Sequence, residues 1–211
     1  MKNKIEKFGP DYFGGKTSNY SEGYGSLRMQ IKLFIRSKVL LSFVKKHKKS
    51  GKLLDVGCAY GYFANVAQKE GFDSFGLDIS KYAVGEAQKK FPSMKVVQGD
   101  IEKKIEFKNN FFDVVTALDV LEHCKNLRHA LNEIKRVLKR NGILFATLPS
   151  TEVLSPEKDR DKTHLWHLSS KDWSRVIEKE GFSLLEDRIY PEILKTIKPI
   201  WTTNLIIAKK E

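Results

Sequence analysis

Apolar and polar residues follow two alternating periods along the chain from Lys52 onward. Five short β-rich apolar runs, separated by segments with a helical period, cover residues 52–56, 74–78, 94–98, 112–118 and 143–148. Strands that alternate with helices form parallel sheets covered on both faces. Two more strands are predicted at 183–190 and 202–208, joined through Pro191 and Pro199 and paired antiparallel at one edge. The pattern predicts an α/β fold with a doubly wound, mostly parallel seven-stranded sheet, an antiparallel edge strand and helices on both faces.

The predicted helices have recognisable ends. The clearest covers residues 127–138, where apolar side chains at a period near 3.6 mark one core-facing stripe, and Asn141–Gly142 is its predicted end. Side chains that cap helix N-termini precede three of the predicted helices, at Ser80, Asn126 and Ser169.

Three further segments lie outside the alternating region. Residues 27–44 predict an amphipathic helix whose apolar face comprises Leu27, Ile31, Phe34, Ile35 and Leu41. Before it, residues 12–25 (YFGGKTSNYSEGYG) mix tyrosine with glycine, which is typical of a flexible flap. Residues 150–168 are charged and aperiodic, and a loop this long in a compact domain is usually functional. We therefore expect residues 150–168 on the substrate side.

Length and composition fit one domain. A chain of 211 residues with 41% hydrophobic content is long enough for one core and short for two. We therefore divide a single domain, residues 1–211, into four parts. These are the flap and helix (1–48), a ligand-binding core (50–148), the substrate-side loop (150–168) and a C-terminal helix with two strands (169–211).

The chain is basic, with 38 Lys and Arg against 26 Asp and Glu and a net charge of +12. Such an excess can favour nucleic acid, but most lysines are scattered along predicted helix faces, so a solvated surface is favoured. Cys58 and Cys124 form no disulfide framework. The start lacks the apolar core of a signal peptide, and no run approaches the roughly 18 apolar residues of a membrane span. We expect a cytoplasmic protein.

Aspartates follow four successive predicted strands, at Asp55, Asp78, Asp100 and Asp119. In an open α/β sheet, ligands bind outside the carboxyl ends of the strands. A lone aspartate is often only a turn former, but turn formers have no reason to recur at every strand end. The set therefore predicts a ligand that carries positive charge or several hydrogen-bond donors.

The glycine turn in LDVGCAYGYF is not a phosphate-binding fingerprint. A dinucleotide turn needs glycine at its first, third and sixth positions, which here are Gly57, Ala59 and Tyr62. A phosphate loop fails as well, because no lysine follows the second glycine. A dehydrogenase is therefore disfavoured. S-adenosylmethionine meets the remaining terms, since its ammonium can pair with an acid and its ribose hydroxyls can donate to one carboxylate. Asp78 has the spacing from Gly57, about 20 residues, of a ribose-binding acid.

The ordered motifs LLDVGCAYGYFA, GLDIS, VQGDI, FDVVTALDVLEH and LKRNGILFATLPS resemble those of class I S-adenosylmethionine-dependent methyltransferases, over roughly residues 50–185. The resemblance implies a Rossmann-like fold, S-adenosyl-L-methionine as the cofactor and methyl transfer as the activity. It implies Asp55, Gly57, Ala59 and Gly61 near the methionine part, Asp78 on the ribose, Ile79, Asp100 and Ile101 at the adenine, and Asp119 beside the methyl donor. Cys58, in the same turn, and Tyr24, in the flap, are assigned to the cofactor site with them. Ala59 departs from the family's usual glycine, and its methyl group narrows the approach of the ligand.

The stretch DVLEH carries the candidate chemistry on the acceptor side. His123 is predicted as the catalytic base, the alternative being a histidine bonded to backbone at a turn. Asp119-x-x-Glu122-His123 with a downstream histidine such as His164 also resembles the metal-coordinating pattern of ubiquinone-pathway O-methyltransferases and small-RNA 2′-O-methyltransferases, which begin with glutamate. An ordinary strand end followed by a helix start gives the same spacing, so no metal ligand is assigned.

Aromatic residues are the candidates for an acceptor pocket. They are Tyr12, Tyr20, Tyr24, Trp166 and Trp173, although core packing is favoured for Trp173. Because there is no room for a separate recognition domain, a small-molecule acceptor is favoured, with O- or N-methylation. The alternatives are an RNA or protein acceptor and a non-catalytic S-adenosylmethionine-binding module. The sequence does not indicate an oligomeric state.

Overall fold

The computed structural model describes residues 7–190 and 203–211. Its helices are α1 (Pro10–Phe13), α2 (Leu27–His47), α3 (Tyr62–Lys69), α4 (Lys81–Lys90), α5 (Leu127–Val137) and α6 (Ser170–Lys179), with single 3-10 turns at Leu121–His123 and Pro156–Lys158. Its strands are β1 (Gly51–Val56), β2 (Phe72–Asp78), β3 (Lys95–Gln98), β4 (Phe112–Leu118), β5 (Leu138–Leu148), β6 (Phe182–Tyr190) and β7 (Thr203–Lys210). No helix within the described ranges is long and apolar enough to cross a membrane.

The seven strands form one sheet in the order β3-β2-β1-β4-β5-β7-β6. The first five strands run parallel, and β7 is antiparallel to both β5 and β6. α5 and α6 pack on one face of the sheet, and α2 and α3 contribute to the core on the other. The predicted doubly wound sheet with its antiparallel edge is thus confirmed. The predicted joining residues Pro191 and Pro199 lie outside the described residues.

The three predicted N-caps are present. Ser80 Oγ accepts a hydrogen bond from Ala83 N at 3.1 Å, and Ser169 Oγ accepts one from Asp172 N at 3.1 Å. Asn126 Oδ1 accepts one from His129 N, also at 3.1 Å. Each side chain satisfies a backbone donor that the first turn of a helix leaves unpaired.

The predicted bounds of α5, 127–138, agree with the observed Leu127–Val137, but the predicted role of Asn141–Gly142 as its closing turn is wrong. Leu138 already pairs with Phe112 of β4. The register then shifts, so that Ile143 pairs with Val114. Asn141, at φ 59°, lies in the bulge between these two pairs. The turn-forming residues therefore produce a β-bulge rather than a helix cap.

The predicted helix at 27–44 is present as α2, but of its predicted apolar face only Leu41 lies in the core. Leu27, Ile31, Phe34 and Ile35 are 73%, 52%, 46% and 42% exposed. The core side chains come from the later part of the helix, at Leu40, Leu41, Phe43 and Val44. The earlier part instead turns Met29, Leu33 and Arg36 toward a cavity. The helical period was therefore predicted correctly, but which face of α2 is buried depends on contacts with residues that are distant in sequence.

Candidate active site

The first cavity lies at the carboxyl ends of β1, β2 and β4 and encloses about 670 Å³, including space open to solvent. The predicted site residues that line it are Tyr24, Gly57, Ala59, Asp78, Ile79, Asp100, Ile101, Asp119 and His123. Three of the four strand-end aspartates therefore face one cavity, as the sheet topology requires. Asp55, Cys58 and Gly61 are not among its lining residues.

The turn after β1 brings the backbone close to its neighbours. Gly57 has φ +66°, and a Cβ there would lie 2.3 Å from Val120 Cγ2. Gly61 has φ +76°, and a Cβ there would lie 2.1 Å from Met94 Cε. Ala59, between them, also adopts a left-handed backbone at φ 48°. The family's usual glycine suits this conformation, whereas alanine is strained in it.

Asp78 ends β2 with its carboxylate bonded to two loops. Its Oδ2 accepts from Ala59 N and its Oδ1 from Ser80 N, both at 2.8 Å. Burial raises the pKa of Asp78 to about 6, although these two bonds oppose the shift. Each oxygen retains a second lone pair for an incoming hydroxyl donor. The carboxylate therefore fits a ribose diol at this edge of the cavity.

Asp55 lies beneath the turn, away from the cavity surface. Its side chain is 2% exposed and its Oδ1 accepts from Thr116 Oγ1 at 2.7 Å. Burial raises the pKa of Asp55 to about 7, with the Thr116 hydrogen bond opposing the shift. The predicted place of Asp55 near the methionine part of the cofactor stays a prediction. In the structure, its hydrogen bond with Thr116 links β1 to β4.

The flap covers the first cavity. Tyr12, Phe13 and Tyr24 line it together with Phe8, which precedes the flap. Tyr24 N donates to Phe13 O at 2.8 Å, and both rings pack with Tyr60 in one cluster. Phe8 and Phe13 were not predicted as site residues, because single aromatic residues near a chain terminus carry no periodic or motif signal.

The second cavity adjoins the first and is larger, about 1490 Å³ including its open mouth. Both cavities are lined by Tyr12, Tyr24, Asp119 and His123. The predicted loop at 150–168 contributes Val153, Leu154, Asp161 and His164 to the second cavity. Trp166 and Trp173 do not line it, because their indole N–H groups donate to Cys124 O and Pro149 O and their rings pack in the core.

Arg36 of α2 neutralises Asp119. Its Nη2 lies 2.7 Å from Asp119 Oδ2, and the same oxygen accepts from Tyr20 OH at 3.0 Å. Thr147 Oγ1 donates to Asp119 Oδ1 at 2.7 Å. Burial alone would raise the pKa of Asp119, but the charge of Arg36 and these hydrogen bonds hold it below its ordinary value. Sequence reasoning missed Arg36, since one arginine on a lysine-rich helix has no distinguishing spacing.

His123 lies where the two cavities meet. Its Nδ1 is 2.9 Å from Thr163 Oγ1, and its ring centroid is 4.7 Å from that of His164. Burial, together with repulsion from His164, lowers the pKa of His123 to about 4. The ring is therefore neutral near pH 7. A base with so low a pKa holds an abstracted proton weakly.

A family model described as a methyltransferase domain matches residues 54–146. An uncharacterized Methanocaldococcus jannaschii protein, MJ0638, is 32% identical over 166 residues, covering 76% of this chain and 69% of the relative. A probable S-adenosylmethionine-dependent methyltransferase of Mycolicibacterium smegmatis is 24% identical, covering 65% of this chain and 54% of the relative. The chain thus spans between about half and two thirds of these two curated relatives.

The fold has close counterparts among solved structures. The crystal structure of the PH0226 protein from Pyrococcus horikoshii has a TM-score of 0.70 at 19% identity and covers all of both chains. The first cavity also fits the cofactor of the matched family, since Gly57 leaves no room for a side chain and Asp78 presents acceptors for a diol. From these similarities, the chain belongs to the class I S-adenosylmethionine-dependent methyltransferases, and its cofactor is S-adenosyl-L-methionine.

Proposed function

We propose that this protein transfers a methyl group from S-adenosylmethionine to a small-molecule acceptor, on an oxygen or nitrogen atom. The observation that supports the proposal is the pair of adjoining cavities, which share Tyr12, Tyr24, Asp119 and His123. The first cavity carries the cofactor motifs. The second is enclosed by the flap, α2 and residues 150–168, and its size suits a small molecule.

The residues of this chain bind and position the reactants. The bound cofactor supplies a methyl group on a sulfonium, and transfer by in-line displacement depends mainly on holding donor and acceptor in line. Asp78 accepts from the ribose, Ile79 and Ile101 flank the adenine, and the flap rings exclude water. An acceptor amine that is already neutral needs no base, whereas a hydroxyl must lose its proton as it attacks.

Calorimetric titration tests the cofactor site directly. We expect S-adenosylmethionine and S-adenosylhomocysteine to bind and NAD not to bind. Asp78→Ala should weaken binding by about 1–3 kcal/mol, because it leaves ribose donors unpaired. Asp73→Ala, at the opposite end of β2, is the matched control and should bind normally. Binding of NAD without binding of either S-adenosyl compound would overturn the proposal.

A transfer assay with labelled methyl donor tests the acceptor class. We expect turnover with some small hydroxyl or amine compounds. Turnover on RNA or protein alone would replace the small-molecule acceptor. Tight cofactor binding without turnover on any of the three classes would instead support a non-catalytic cofactor-binding module.

A further inference from the structure

We propose that Glu122, His123 and His164 form a binding site for a divalent first-row transition metal ion, with Asp161 adjacent as a further ligand. One potential ligand atom from each of the first three residues lies within 4.8 Å of the others. All four residues line the second cavity. The metal site is inferred from this geometry, and only its relation to the acceptor rests on the proposed function.

The carboxylate of Glu122 is the strongest indication of a cation site. Its side chain is fully buried, and no other residue that the structure describes donates a hydrogen bond to either carboxylate oxygen. An unpaired buried carboxylate costs several kcal/mol, so such groups are normally paired or coordinate metals. The main chain fixes the residue in place, because Leu165 N donates to Glu122 O at 2.8 Å.

The hydrogen bonds around His123 place a proton on its Nδ1. The hydroxyl of Thr163 has one proton, which it donates to Asp161 Oδ1 at 2.5 Å. The contact of 2.9 Å between Thr163 Oγ1 and His123 Nδ1 therefore requires His123 to donate. A neutral ring with its proton on Nδ1 has a lone pair on Nε2, which is the state that metal-binding histidines adopt.

His164 has the same arrangement with a carboxylate behind it. Its Nδ1 lies 2.6 Å from Asp159 Oδ2, which orients the ring. Its Nε2 lies 3.9 Å from Glu122 Oε1 and 3.8 Å from Asp161 Oδ2, too far for hydrogen bonds. Two atoms bound to one ion at about 2.1 Å lie roughly 3.4 Å apart in tetrahedral geometry, so a small contraction would complete the site.

Asp159 and Thr163 thus act as supporting residues behind the two histidines. Asp159 is itself held, because its Oδ1 accepts from Asn19 Nδ2 at 3.0 Å and from Asp161 N at 2.9 Å. Carboxylates and hydroxyls behind metal-binding histidines fix the ring orientation in this way. Asp119 is not a ligand in this arrangement, because Arg36, Tyr20 and Thr147 already occupy its carboxylate.

The donor set determines the kind of ion. Two imidazoles with one or two carboxylates suit Zn²⁺, Mn²⁺, Fe²⁺ or Co²⁺, whereas Mg²⁺ and Ca²⁺ prefer oxygen ligands. Three or four protein ligands leave a coordination position open toward the second cavity. The site therefore favours acceptors that carry an oxygen donor such as a hydroxyl.

Metal titration of the full chain tests the site without an activity assay. Protein stripped with EDTA and dialysed is titrated with Zn²⁺, Mn²⁺ and Co²⁺ by calorimetry, and Co²⁺ binding is followed by visible absorption. We expect one ion per chain, with no competition from Mg²⁺. Glu122→Gln and His164→Gln should each weaken binding at least about tenfold. His129→Gln, on the exposed surface of α5, is the control and should bind like the wild type.

Two results would overturn the site. One is the absence of saturable binding of all three ions to the wild type. The other is unchanged binding in both ligand variants, with a higher melting temperature for Glu122→Gln, which would identify Glu122 as a buried neutral acid. S-adenosylmethionine titrations of the same proteins check the fold and separate the two proposals. Metal binding without cofactor binding would contradict only the proposed function. Cofactor binding without metal binding would contradict only the proposed metal site.

Discussion

At the scale of single residues, Ala59 is the position where this chain departs from its family. Its left-handed backbone places a methyl group where glycine is preferred, at a cost of roughly 1–2 kcal/mol. Ala59 N also donates to Asp78, so the strained residue helps to position the carboxylate that we propose binds the ribose. The strain is therefore located in the lining of the first cavity.

Ala59→Gly should stabilise the protein by up to about 1 kcal/mol, because relief of the left-handed strain outweighs the added freedom of the unfolded chain. Urea unfolding measures the change. Ala83→Gly, inside α4, is the matched control and should destabilise by about 0.5–1 kcal/mol. Destabilisation of similar size in both variants would contradict the strain argument.

Asp78 should make cofactor affinity depend on pH. Its pKa of about 6 in the folded protein exceeds the ordinary value of 3.8. The protonated form is thus favoured by folding, and the stability penalty of the charged form is complete above pH 6 and absent below 3.8. Since the ribose hydroxyls need the charged acceptor, we expect affinity to fall about tenfold per pH unit below pH 6.

Calorimetry with S-adenosylmethionine between pH 5 and 8 measures this dependence. Asp78→Asn should bind weakly at every pH, with no slope in this range. A slope that persists in Asp78→Asn would assign the titration to another group. Asp55, with a pKa of about 7 beneath the same turn, is the nearest alternative.

At the scale of elements, the ion pair between Arg36 and Asp119 ties α2 to the end of β4. A double-mutant cycle with Arg36→Gln and Asp119→Asn should give a coupling free energy of about 1–3 kcal/mol, because the partners share one hydrogen-bonded network. The exposed pair Lys89–Glu86 is the control, and its coupling should be much smaller because water and salt screen the two charges. Equal couplings for the two pairs would show that the Arg36 pair contributes no more than a surface contact.

Truncation of a side chain should lower the free energy of unfolding on the buried face of α2 and leave it nearly unchanged on the exposed face. Leu40→Ala removes a fully buried side chain and should cost about 2–5 kcal/mol. Ile31→Ala removes a side chain that is 52% exposed and should change the free energy of unfolding by no more than about 0.5 kcal/mol. Chemical denaturation measures both, and a large loss for Ile31→Ala would place that side chain in a packed interface.

Elements that depend on local signals were predicted well, and those that depend on distant contacts were not. The N-caps Ser80, Asn126 and Ser169 act within one turn, so the sequence around them was sufficient. The apolar period of α2 was recognised, but its orientation depends on Asp119, which is 83 residues beyond Arg36 in the chain. The end of α5 was predicted to within one residue, but the role of Asn141–Gly142 was predicted wrongly because Leu138 pairs with β4 before those residues are reached.

At the scale of the whole molecule, the sheet could be predicted, together with the edge where most of the candidate cofactor residues lie, because parallel strands present their carboxyl ends at one edge. The convergence of the aspartates after β2, β3 and β4 therefore follows from the strand order alone and could be predicted without information about side-chain packing. Around the second cavity, the flap tyrosines and the loop at 150–168 were assigned to the acceptor side from the sequence, whereas α2 was not, because its proximity to them follows from tertiary packing alone.

The net charge of +12 should give only weak binding to polyanions. Many lysines already face acids, as where Lys38 and Lys45 share Glu70 and Lys52 and Lys95 share Asp73. We expect binding of a labelled RNA oligonucleotide to weaken steeply with salt and to disappear near physiological salt. Binding that survives at that salt, measured by fluorescence anisotropy, would favour an RNA acceptor.

The position of β7 has a consequence for the order of folding. Among the strands that the structure describes, β6 pairs with β7 alone, yet β7 follows it in sequence and separates it from β5. During synthesis, β6 must therefore wait beside an open sheet edge until residues 203–210 have emerged and paired with β5. The parallel half of the sheet, which carries most of the cofactor site, can assemble before that last step.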